Sequence, residues 1–473
     1  MNKSIKRIKI IATIGPVSDS KKSIEELIQA GINVFRFNMK HSTVAWHEER
    51  IARVQQVADK LNMPIGILID LQGPEVRIRT YKAQDISVNI GDTIKFVKKE
   101  ASSLDEIRIT PSLALNSISA GDKILIDDGY VELLCTKKIN DTAYATVQNK
   151  SSISNQKGIN FPGKTINLPS LIKADLERLD MATRSKVDFI ALSFTRSKED
   201  IRILRNEMNK KKIESSIIAK IENQQALDNI DEIISEADGI MIARGDLGLE
   251  VPMEEIVFWQ KTIINKCRYF NKPVIVATQM LQSMINSFLP TRAEVTDIAN
   301  AVLDGADALM LSGETASGSY PVKAAQTMAR IAVFNENNRI TRLETKNHKF
   351  TQDDLMVNSA MEILRENDIY PIDAIVVLSE TGYTARAISS YRPDLPILVV
   401  TSRQKTVEKL TLNYGIQAFE SNGGDKDKNM GQQAVEFLKK KQILVKGQAI
   451  LVIYGTAWSQ PGKTNSLSII KVS

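Results

Sequence analysis

Eight short apolar runs, most of them followed by an amphipathic helical pattern, recur through the first two thirds of this 473-residue chain. Each run is too short for a helix, and its unbroken apolar character is typical of a strand buried in a parallel sheet. Eight strand-then-helix units are the number that closes a TIM (β/α)8 barrel. A doubly wound open sheet is the alternative, although no GxGxxG turn follows the first run. The eight runs span residues 8–14, 34–37, 65–69, 189–193, 217–221, 240–243, 274–277 and 308–311.

The interval between the third and fourth runs is far too long for a single loop between a strand and a helix. It carries short alternating runs separated by glycine-containing turns, a pattern that predicts an inserted all-β domain. Such a domain would lie over the mouth of the barrel and act as a lid that excludes water. The predicted boundaries are residues 1–71 and 165–340 for the catalytic barrel and residues 72–164 for an inserted β-barrel lid domain.

A polar stretch at residues 341–349 separates the barrel from a second region of alternating strands and helices. The strand-like runs in that region lie at residues 374–378, 397–401 and 449–454. We assign residues 341–473 to a C-terminal α/β regulatory domain. The predicted fold class is therefore α/β, with a TIM (β/α)8 barrel, an inserted all-β lid domain and a C-terminal α/β domain.

The composition argues against several classes of function. The formal charge is +6, the basic residues are scattered, and only 5% of residues are aromatic, so we expect no nucleic-acid binding. Cys135 and Cys267 lie far apart and outside any CxxC spacing, which favours reduced thiols over a disulfide framework or a zinc site. Because no apolar run reaches about 18 residues and the N-terminus lacks a signal-peptide core, we expect a soluble cytoplasmic protein without membrane contact.

Charged residues follow the fifth and sixth apolar runs directly. Lys220 and Glu222 end the fifth run, and Arg244, Gly245 and Asp246 follow the sixth. The carboxyl ends of the strands carry the active site in a TIM barrel, so these side chains would converge at one mouth. Two carboxylates suit a hard divalent ion such as Mg2+, and a lysine beside them would balance the charge of a phosphate.

Nine short motifs lie in a fixed order along the chain. They are KIIATIGP at 9–16, NVFRFN at 33–38, GPEVR at 73–77, DDG at 127–129, KIENQ at 220–224, MIARGDLG at 241–248, ATQML at 277–281, PTRAE at 290–294 and LSGET at 311–315. Each motif alone is weakly specific, but nine collinear motifs are highly specific, and together they resemble the pyruvate kinase family over nearly the whole length. The family fold is the same combination of barrel, inserted β domain and C-terminal α/β domain that the periodicity predicts independently.

The resemblance implies transfer of the phosphoryl group from phosphoenolpyruvate to ADP, which gives pyruvate and ATP in glycolysis. It implies that Glu222 and Asp246 ligate Mg2+ or Mn2+. Lys220 and Arg36 would stabilise the phosphoryl group during the transfer. The backbone N–H groups of Gly245 and Asp246 would bind the substrate carboxylate, as helix N-termini bind anions.

Two further parts of the reaction follow from the same resemblance. Thr278 would contribute to substrate binding and lie on the proton path to the enolate, through water, because a threonine hydroxyl alone is too weak an acid. The nucleotide, ADP or ATP, would bind between the barrel mouth and the lid. The nucleotide-binding positions of the family are occupied here by Pro16, Asn38, His41, Arg77, Lys157 and Asp128.

Many members of the family also bind K+ through an asparagine, a serine, an aspartate and a threonine. Asn38 and Asp70 match two of these positions, but Lys40 and Leu71 replace the serine and the threonine. A lysine cannot ligate K+, and leucine offers no side-chain oxygen. Our hypothesis is that K+ is not required, because the Lys40 ammonium takes the place of the cation and offsets Glu75 and Asp70. The competing explanation is a feeble or silent enzyme.

The loop after the run at residues 374–378 resembles the phosphate site of the family's activator pocket. Glu380 stands where relatives activated by fructose 1,6-bisphosphate often have a lysine, and its carboxylate would repel a second phosphate. We therefore expect a monophosphate effector, AMP or a sugar monophosphate, with no effector at all as the alternative. The predicted effector-binding residues are Ser379, Thr381, Gly382, Thr384, Trp458 and Lys463.

Two other functions remain open from the sequence. A Mg2+-dependent lyase or aldolase that forms a pyruvate enolate would share Glu222 and Asp246 but would not need the lid. A catalytically weak, metabolite-sensing homologue would bind the same ligands without turnover. The resemblance also implies a homotetramer.

Overall fold

Eight parallel strands close into a barrel, which confirms the predicted fold class. The computed structural model describes residues 6–339, 352–366, 369–421, 429–455 and 464–473. We number the barrel strands one to eight in chain order. They are Lys9–Thr13, Val34–Asn38, Gly66–Asp70, Phe189–Leu192, Ser216–Ile221, Gly239–Ala243, Val274–Ala277 and Ala308–Leu311.

Helices surround the barrel and bury their apolar sides against its strands. The helix Arg292–Asp304 shows how the sequence sets their ends. It begins with a capping box between Thr291 and Glu294, and it ends at Gly305, whose φ of 93° is a left-handed conformation that glycine adopts without strain. The helices of this region are Lys21–Gln29, Val44–Leu61, Lys173–Ala182, Lys198–Lys210, Gln224–Asp228, Ile230–Glu236, Arg244–Leu247, Ile256–Tyr269, Arg292–Asp304, Gly313–Ala316 and Pro321–Asn337.

The chain between the third and fourth barrel strands folds as an all-β domain around its own apolar core. An isolated antiparallel bridge between Arg77 and Gly158 joins the two edges of its main sheet, so that sheet curls back on itself. The main sheet contains Arg77–Thr80, Thr93–Val97, Glu106–Thr110, Lys123–Ile126, Val131–Ile139, Thr142–Val147 and Ile159–Asn160, and a smaller sheet pairs Ile86–Val88 with Ser151–Ile153.

The C-terminal region forms a five-stranded sheet, of which four strands are parallel and the last is antiparallel. Two of its strands, Ile416–Glu420 and Thr464–Lys471, were not predicted from the sequence. Across the described ranges, no helix is both long and apolar enough to cross a membrane. The other strands are Ala374–Leu378, Ile397–Thr401 and Ala449–Gly455, and the helices are Gln352–Arg365, Tyr383–Ser389, Gln404–Lys409 and Met430–Lys440.

Carboxylates at the end of the barrel opposite the mouth attach the C-terminal domain. Asp188, Asp238 and Asp307 precede strands four, six and eight, and each accepts a backbone N–H from the preceding strand. Cations of the C-terminal domain contact two of them, because Arg392 lies 2.6 Å from Asp307 and Lys405 lies 3.4 Å from Asp188. Asp188 and Asp307 therefore both tie strand ends together and bind the C-terminal domain.

Replacing Arg392 with methionine should lower the melting temperature by several degrees. The side chains of Arg392 and Asp307 are only 1% and 3% exposed, so the substitution would leave a buried carboxylate without its cation. Removal of one partner from such a pair typically costs about 3–5 kcal/mol. Thermal unfolding followed by circular dichroism measures the effect. The matched control is Arg365→Met, because Arg365 pairs with Glu362 at the surface; equal melting temperatures for the two variants would contradict the prediction.

Candidate active site

The fifth and sixth barrel strands bring the candidate catalytic residues side by side. The two strands pair in parallel with Lys220 opposite Met241, so the residues that follow them emerge at the same edge. Glu222 comes directly after strand five and is only 3% exposed. Asp246 lies in the short helix Arg244–Leu247, which begins directly after strand six, and it is half-buried. The predicted convergence at the barrel mouth is thus present.

The Lys220 ammonium is surrounded by oxygen atoms. It lies 2.7 Å from Glu222 Oε1, donates to Ser193 Oγ at 2.9 Å, and lies 3.4 Å from Asp70 Oδ1. Burial alone would lower the pKa of Lys220, but the carboxylates of Asp70, Glu222 and Asp246 raise it above its ordinary value. Lys220 is therefore a fixed positive charge at the mouth.

Arg36 supplies a second buried cation next to Lys220. Its Nε and Nη2 atoms lie 2.8 and 2.7 Å from Asp70 Oδ2, and its Nη1 donates to Thr13 Oγ1 at 3.0 Å. Burial opposes ionisation of Asp70, but Lys220 and Arg36 lower the pKa of this carboxyl below its ordinary value. Asp70 therefore holds both cations in place. Lys220 and Arg36 together form the kind of positively charged site that a phosphoryl group needs.

Glu222 and Asp246 form an oxygen donor set that fits a divalent cation. Burial raises the pKa of Glu222, and the nearby Asp246 charge raises it further, against the lowering effect of Lys220. Two carboxylates that repel each other in this way are stabilised by a hard cation between them. In the part of the chain that the structure describes, no cluster of three or more carboxylate, imidazole or thiol groups could hold a metal ion.

Ser193 and Phe194 complete the surroundings of Lys220 and Glu222. The Phe194 N–H donates to Glu222 Oε2 at 2.7 Å, which fixes the carboxylate. Phe194 has a φ of 54°, a left-handed conformation that is rare for a bulky residue and is found at functional sites. Both residues follow strand four directly, and the carboxyl ends of the strands are where a TIM barrel is expected to carry its active site.

Thr278 contacts the predicted carboxylate-binding site at Gly245. Its Oγ1 accepts the Gly245 N–H at 2.8 Å and donates to Ala277 O at 2.6 Å. Thr278 has a φ of 69°, which a β-branched residue adopts only under strain. Arg244 holds this segment through a bond from Nη2 to Thr278 O at 2.9 Å, and Asp297 fixes Arg244 with two bonds of 2.6 and 2.7 Å.

Lys40 lies beside Glu75, as our hypothesis required. Its Nζ is 2.5 Å from Glu75 Oε1, and the other oxygen of Glu75 accepts from Arg77 at 2.6 and 2.9 Å. The Asn38 side chain accepts the Lys40 N–H at 3.2 Å. Asp70, whose charge the hypothesis also had Lys40 offset, is bound by the two buried cations described above.

Leu71, the other departure from the K+ set, points into the apolar core and is 1% exposed. Only its backbone is available to polar groups, and Leu71 O accepts a bond from Ser193 Oγ at 2.8 Å. The side chain at position 71 therefore offers no ligand for a monovalent cation.

A cleft of about 360 Å³ separates the barrel mouth from the inserted domain. The inserted domain approaches the barrel closely, because Asn160 donates to Glu250 at 3.5 Å and Gly129 packs against Leu249. Lys157 pairs with Asp127 at 2.9 Å. The cleft is lined by both candidate metal ligands, by three of the predicted nucleotide-binding residues and by the pair from the monovalent-cation region: Glu222 and Asp246, Arg77, Asp128 and Lys157, and Lys40 and Glu75.

The remaining predicted nucleotide residues lie at the rim of the mouth. Pro16 and His41 are exposed in the loops after strands one and two. Burial lowers the pKa of His41, and the neighbouring charge of Lys40 lowers it further. Burial raises the pKa of Asp128 in the lid, and the Asp246 and Asp127 charges add to that effect. The carboxylates on the two sides of the cleft are therefore close enough to interact.

The predicted effector residues only partly face solvent. Thr381 is exposed, but the hydroxyl of Thr384 is buried and hydrogen-bonded to Thr464 at 2.8 Å. Ser379 N donates to Val400 O at 3.2 Å. Gly382, with a φ of 75°, precedes the helix Tyr383–Ser389. Trp458 and Lys463 lie outside the described residues.

Comparison with known proteins agrees with this arrangement. The chain matches the pyruvate kinase barrel domain over residues 5–325 and the pyruvate kinase alpha/beta domain over residues 353–470. It is 39% identical to a pyruvate kinase of Bacillus licheniformis, with 99% of this chain and 81% of that protein covered. A pyruvate kinase of Sporosarcina psychrophila is 37% identical, with coverage of 98% and 80%.

A solved structure leads to the same family. The crystal structure of a pyruvate kinase from Cryptosporidium parvum matches with a TM-score of 0.91 and 32% sequence identity, over 99% of this chain and 96% of that chain. The lyase or aldolase alternative is not favoured, because these relatives are kinases. The cations, carboxylates and lid that meet at the mouth thus belong to a phosphotransferase, and the chain is a member of the pyruvate kinase family.

Proposed function

We propose that this enzyme transfers the phosphoryl group of phosphoenolpyruvate to ADP in cytoplasmic glycolysis, with Mg2+ or Mn2+ and without K+. The observation that carries the proposal is the position of the Lys220 ammonium, held by Glu222 and Ser193 at the barrel mouth. ATP and pyruvate formation from the two substrates tests it. A purified enzyme that binds phosphoenolpyruvate but forms no ATP would favour the metabolite-sensing alternative.

Lys220 and Arg36 would hold the phosphoryl group between them. As the bond from phosphorus to the enol oxygen breaks and the bond to the terminal oxygen of ADP forms, these cations neutralise the charge on the three transferred oxygens. Asp70 keeps both cations in place without entering the reaction. Bound by Glu222 and Asp246, the divalent cation would supply positive charge for the enolate oxygen.

Gly245 and Thr278 would act on the other end of the substrate. The Gly245 N–H donates to the Thr278 hydroxyl. A substrate carboxylate at the Gly245 and Asp246 N–H groups would replace that bond. The Thr278 hydroxyl is then free to orient the water that delivers a proton to the enolate carbon, which completes pyruvate.

Lys40 would provide the positive charge that other family members obtain from K+. Its ammonium is 2.5 Å from Glu75, and Glu75 in turn orients Arg77 at the entrance to the inserted domain. Asn38 fixes the Lys40 backbone. A tethered ammonium needs no ion to be recruited from solution, so this geometry supports turnover in the absence of K+.

The C-terminal domain is the proposed site of a monophosphate effector, AMP or a sugar monophosphate. The Glu380 carboxylate accepts bonds from Ser402 N at 3.2 Å and from Ser402 Oγ at 2.6 Å, and it lies 3.5 Å from Arg403 Nε. These donors would otherwise be available to a phosphate. An internal carboxylate therefore occupies the place at which a second phosphate would bind, which supports a ligand with one phosphate.

A monophosphate should lower the half-saturating concentration of phosphoenolpyruvate, and fructose 1,6-bisphosphate should not. The reason is the repulsion between Glu380 and a second phosphate. Saturation curves with AMP, glucose 6-phosphate and fructose 1,6-bisphosphate measure the response. Glu380→Lys should gain a response to the bisphosphate, since it replaces repulsion by attraction and frees Ser402. Activation of the unsubstituted enzyme by the bisphosphate alone would overturn this preference.

We also propose a homotetramer. Large apolar side chains are exposed around the start of the helix Ile256–Tyr269 and in the loop before Arg292, which suggests that another subunit covers them. Sedimentation at equilibrium measures the mass, and a monomer at micromolar concentration would contradict the proposal. The exposed side chains are Met253, Val257, Phe258, Phe288 and Leu289.

A further inference from the structure

Asp175 is a fully buried carboxylate that the proposed reaction does not use. It lies in the first turn of the helix Lys173–Ala182 and is 0% exposed. Its Oδ1 accepts the backbone N–H groups of Gln72 at 2.9 Å and Gly73 at 3.3 Å. Its Oδ2 accepts the N–H of Ile172 at 3.0 Å. One carboxylate thus binds the chain both before and after the inserted domain.

The first linker, at residues 71–73, is pressed against the catalytic residues. Leu71 O accepts a bond from Ser193 Oγ, the same oxygen that receives the Lys220 ammonium. Gly73 has a φ of 67°, and a Cβ atom added there would lie 2.9 Å from a Phe194 ring carbon and 3.0 Å from Ser193 Cβ. A side chain at position 73 would therefore collide with the two residues that follow strand four.

The return linker, at residues 164–172, is held in the same neighbourhood. Arg196 Nη1 donates to Leu168 O at 2.8 Å and to Ile166 O at 3.3 Å. Asp200 fixes Arg196 at 2.9 Å. The two linkers are thus attached to the barrel by separate side chains, and Asp175 is the group that contacts both of them.

We propose that Asp175 is a positioning residue that holds both linkers against the barrel and thereby sets the orientation of Glu75 and Arg77 over the cleft. Glu75 and Arg77 follow the Asp175-bound N–H groups by two to five residues, so a shift of the linker moves them directly. The consequence for nucleotide binding rests on the proposed function, in which Arg77 binds ADP. The consequence for the position of the inserted domain does not.

Two substitutions of Asp175 should give a graded effect. An amide has a single acceptor oxygen, so Asp175→Asn can retain at most one linker, whereas Asp175→Ala retains neither. The matched control is Asp238→Asn, because Asp238 also accepts a backbone N–H, from Ile217 at 2.9 Å, but lies at the opposite end of the barrel. Substitution at either site is expected to lower the stability of the protein. Only the Asp175 variants are expected to change the position of the inserted domain relative to the barrel.

The test is the distance between spin labels at Lys22→Cys on the barrel and Lys99→Cys on the inserted domain. Both native cysteines are buried, and excess unlabelled protein suppresses distances between subunits. Asp175→Asn should broaden the distance distribution, and Asp175→Ala should broaden it further. The KM for ADP should rise by about tenfold or more, since small misplacements of binding groups have effects of that size.

Distance distributions that are the same for Asp175→Asn, Asp238→Asn and the unsubstituted protein would overturn the inference. Asp175→Asn, which preserves the shape of the side chain, decides the question if Asp175→Ala yields no soluble protein. The distance measurement requires neither substrate nor turnover. A failure of the proposed reaction would therefore leave this result standing, and a failure of the inference would leave the proposed reaction standing.

Discussion

Replacing Lys220 with alanine is expected to lower ATP formation by about 10³- to 10⁵-fold, the range over which a cation that stabilises phosphoryl transfer acts. Lys220 lies within 3.4 Å of two carboxylates and keeps its charge in a nearly buried position. Its neighbour Arg36 does not replace it, because Arg36 is already bound to Asp70. A coupled assay at saturating phosphoenolpyruvate and ADP measures the loss.

Cation binding separates a catalytic role of Lys220 from a structural one. Mn2+ affinity, measured by electron paramagnetic resonance, should be retained or increased in Lys220→Ala, because the ammonium competes for Glu222. The same affinity should fall in Glu222→Gln. Lys198→Met is the matched control, since Lys198 pairs with Glu232 at the surface near the same face. Near-normal turnover of Lys220→Ala would refute the assigned role.

Replacing Lys40 should have the second-largest effect and should make the enzyme dependent on K+. In K+-free buffer, Lys40→Met is expected to lose about 10- to 100-fold in turnover, because one preorganised positive charge is removed from the mouth. Lys40→Ser restores a hydroxyl at the position where many family members have one. We expect K+ to stimulate Lys40→Ser strongly and the unsubstituted enzyme not at all.

The control for Lys40 is another lysine in an ion pair. Lys60→Met removes a surface cation that lies 3.1 Å from Glu25, far from the mouth, and should leave turnover unchanged with or without K+. Comparing the turnover of the Lys40 and Lys60 variants with and without K+ distinguishes an effect on the monovalent-cation requirement from a general effect of losing one positive charge. Full activity of Lys40→Met without K+ would contradict the role of the ammonium.

The barrel could be predicted because its strands are buried on both faces. Such strands are continuous apolar runs, and the run at 274–277 coincides with Val274–Ala277 in the structure. The last strand, Thr464–Lys471, was missed because it is antiparallel and partly exposed, so polar residues interrupt its apolar ones. Ile416–Glu420 is short and carries Gln417 and Glu420, which obscured its strand character.

The site could be predicted where its residues belong to local motifs. Lys220 and Glu222 stand two residues apart, and the structure brings them within 2.7 Å. Asp175 could not be found in that way, because its partners Gln72 and Gly73 are about one hundred residues away along the chain. Its position in the first turn of a helix is typical of a residue that only caps its own helix. Only the folded chain shows that this carboxylate joins two linkers.

The pairing of Lys40 shows what the sequence left undetermined. The sequence led us to expect that Lys40 offsets both Glu75 and Asp70, because both carboxylates were expected at the mouth. In the structure Lys40 is 2.5 Å from Glu75, while Asp70 is bound by Arg36 and Lys220. The hypothesis of an internal cation therefore now concerns the link between Lys40, Glu75 and Arg77.

The most direct measurement is the rate of ATP formation from phosphoenolpyruvate and ADP with Mg2+, in a buffer whose only monovalent cation is tetramethylammonium, before and after addition of K+. We predict a high rate in the absence of K+ and no change when K+ is added, because Lys40 already supplies the charge. A rate that is negligible without K+ and rises by orders of magnitude on its addition would contradict the account.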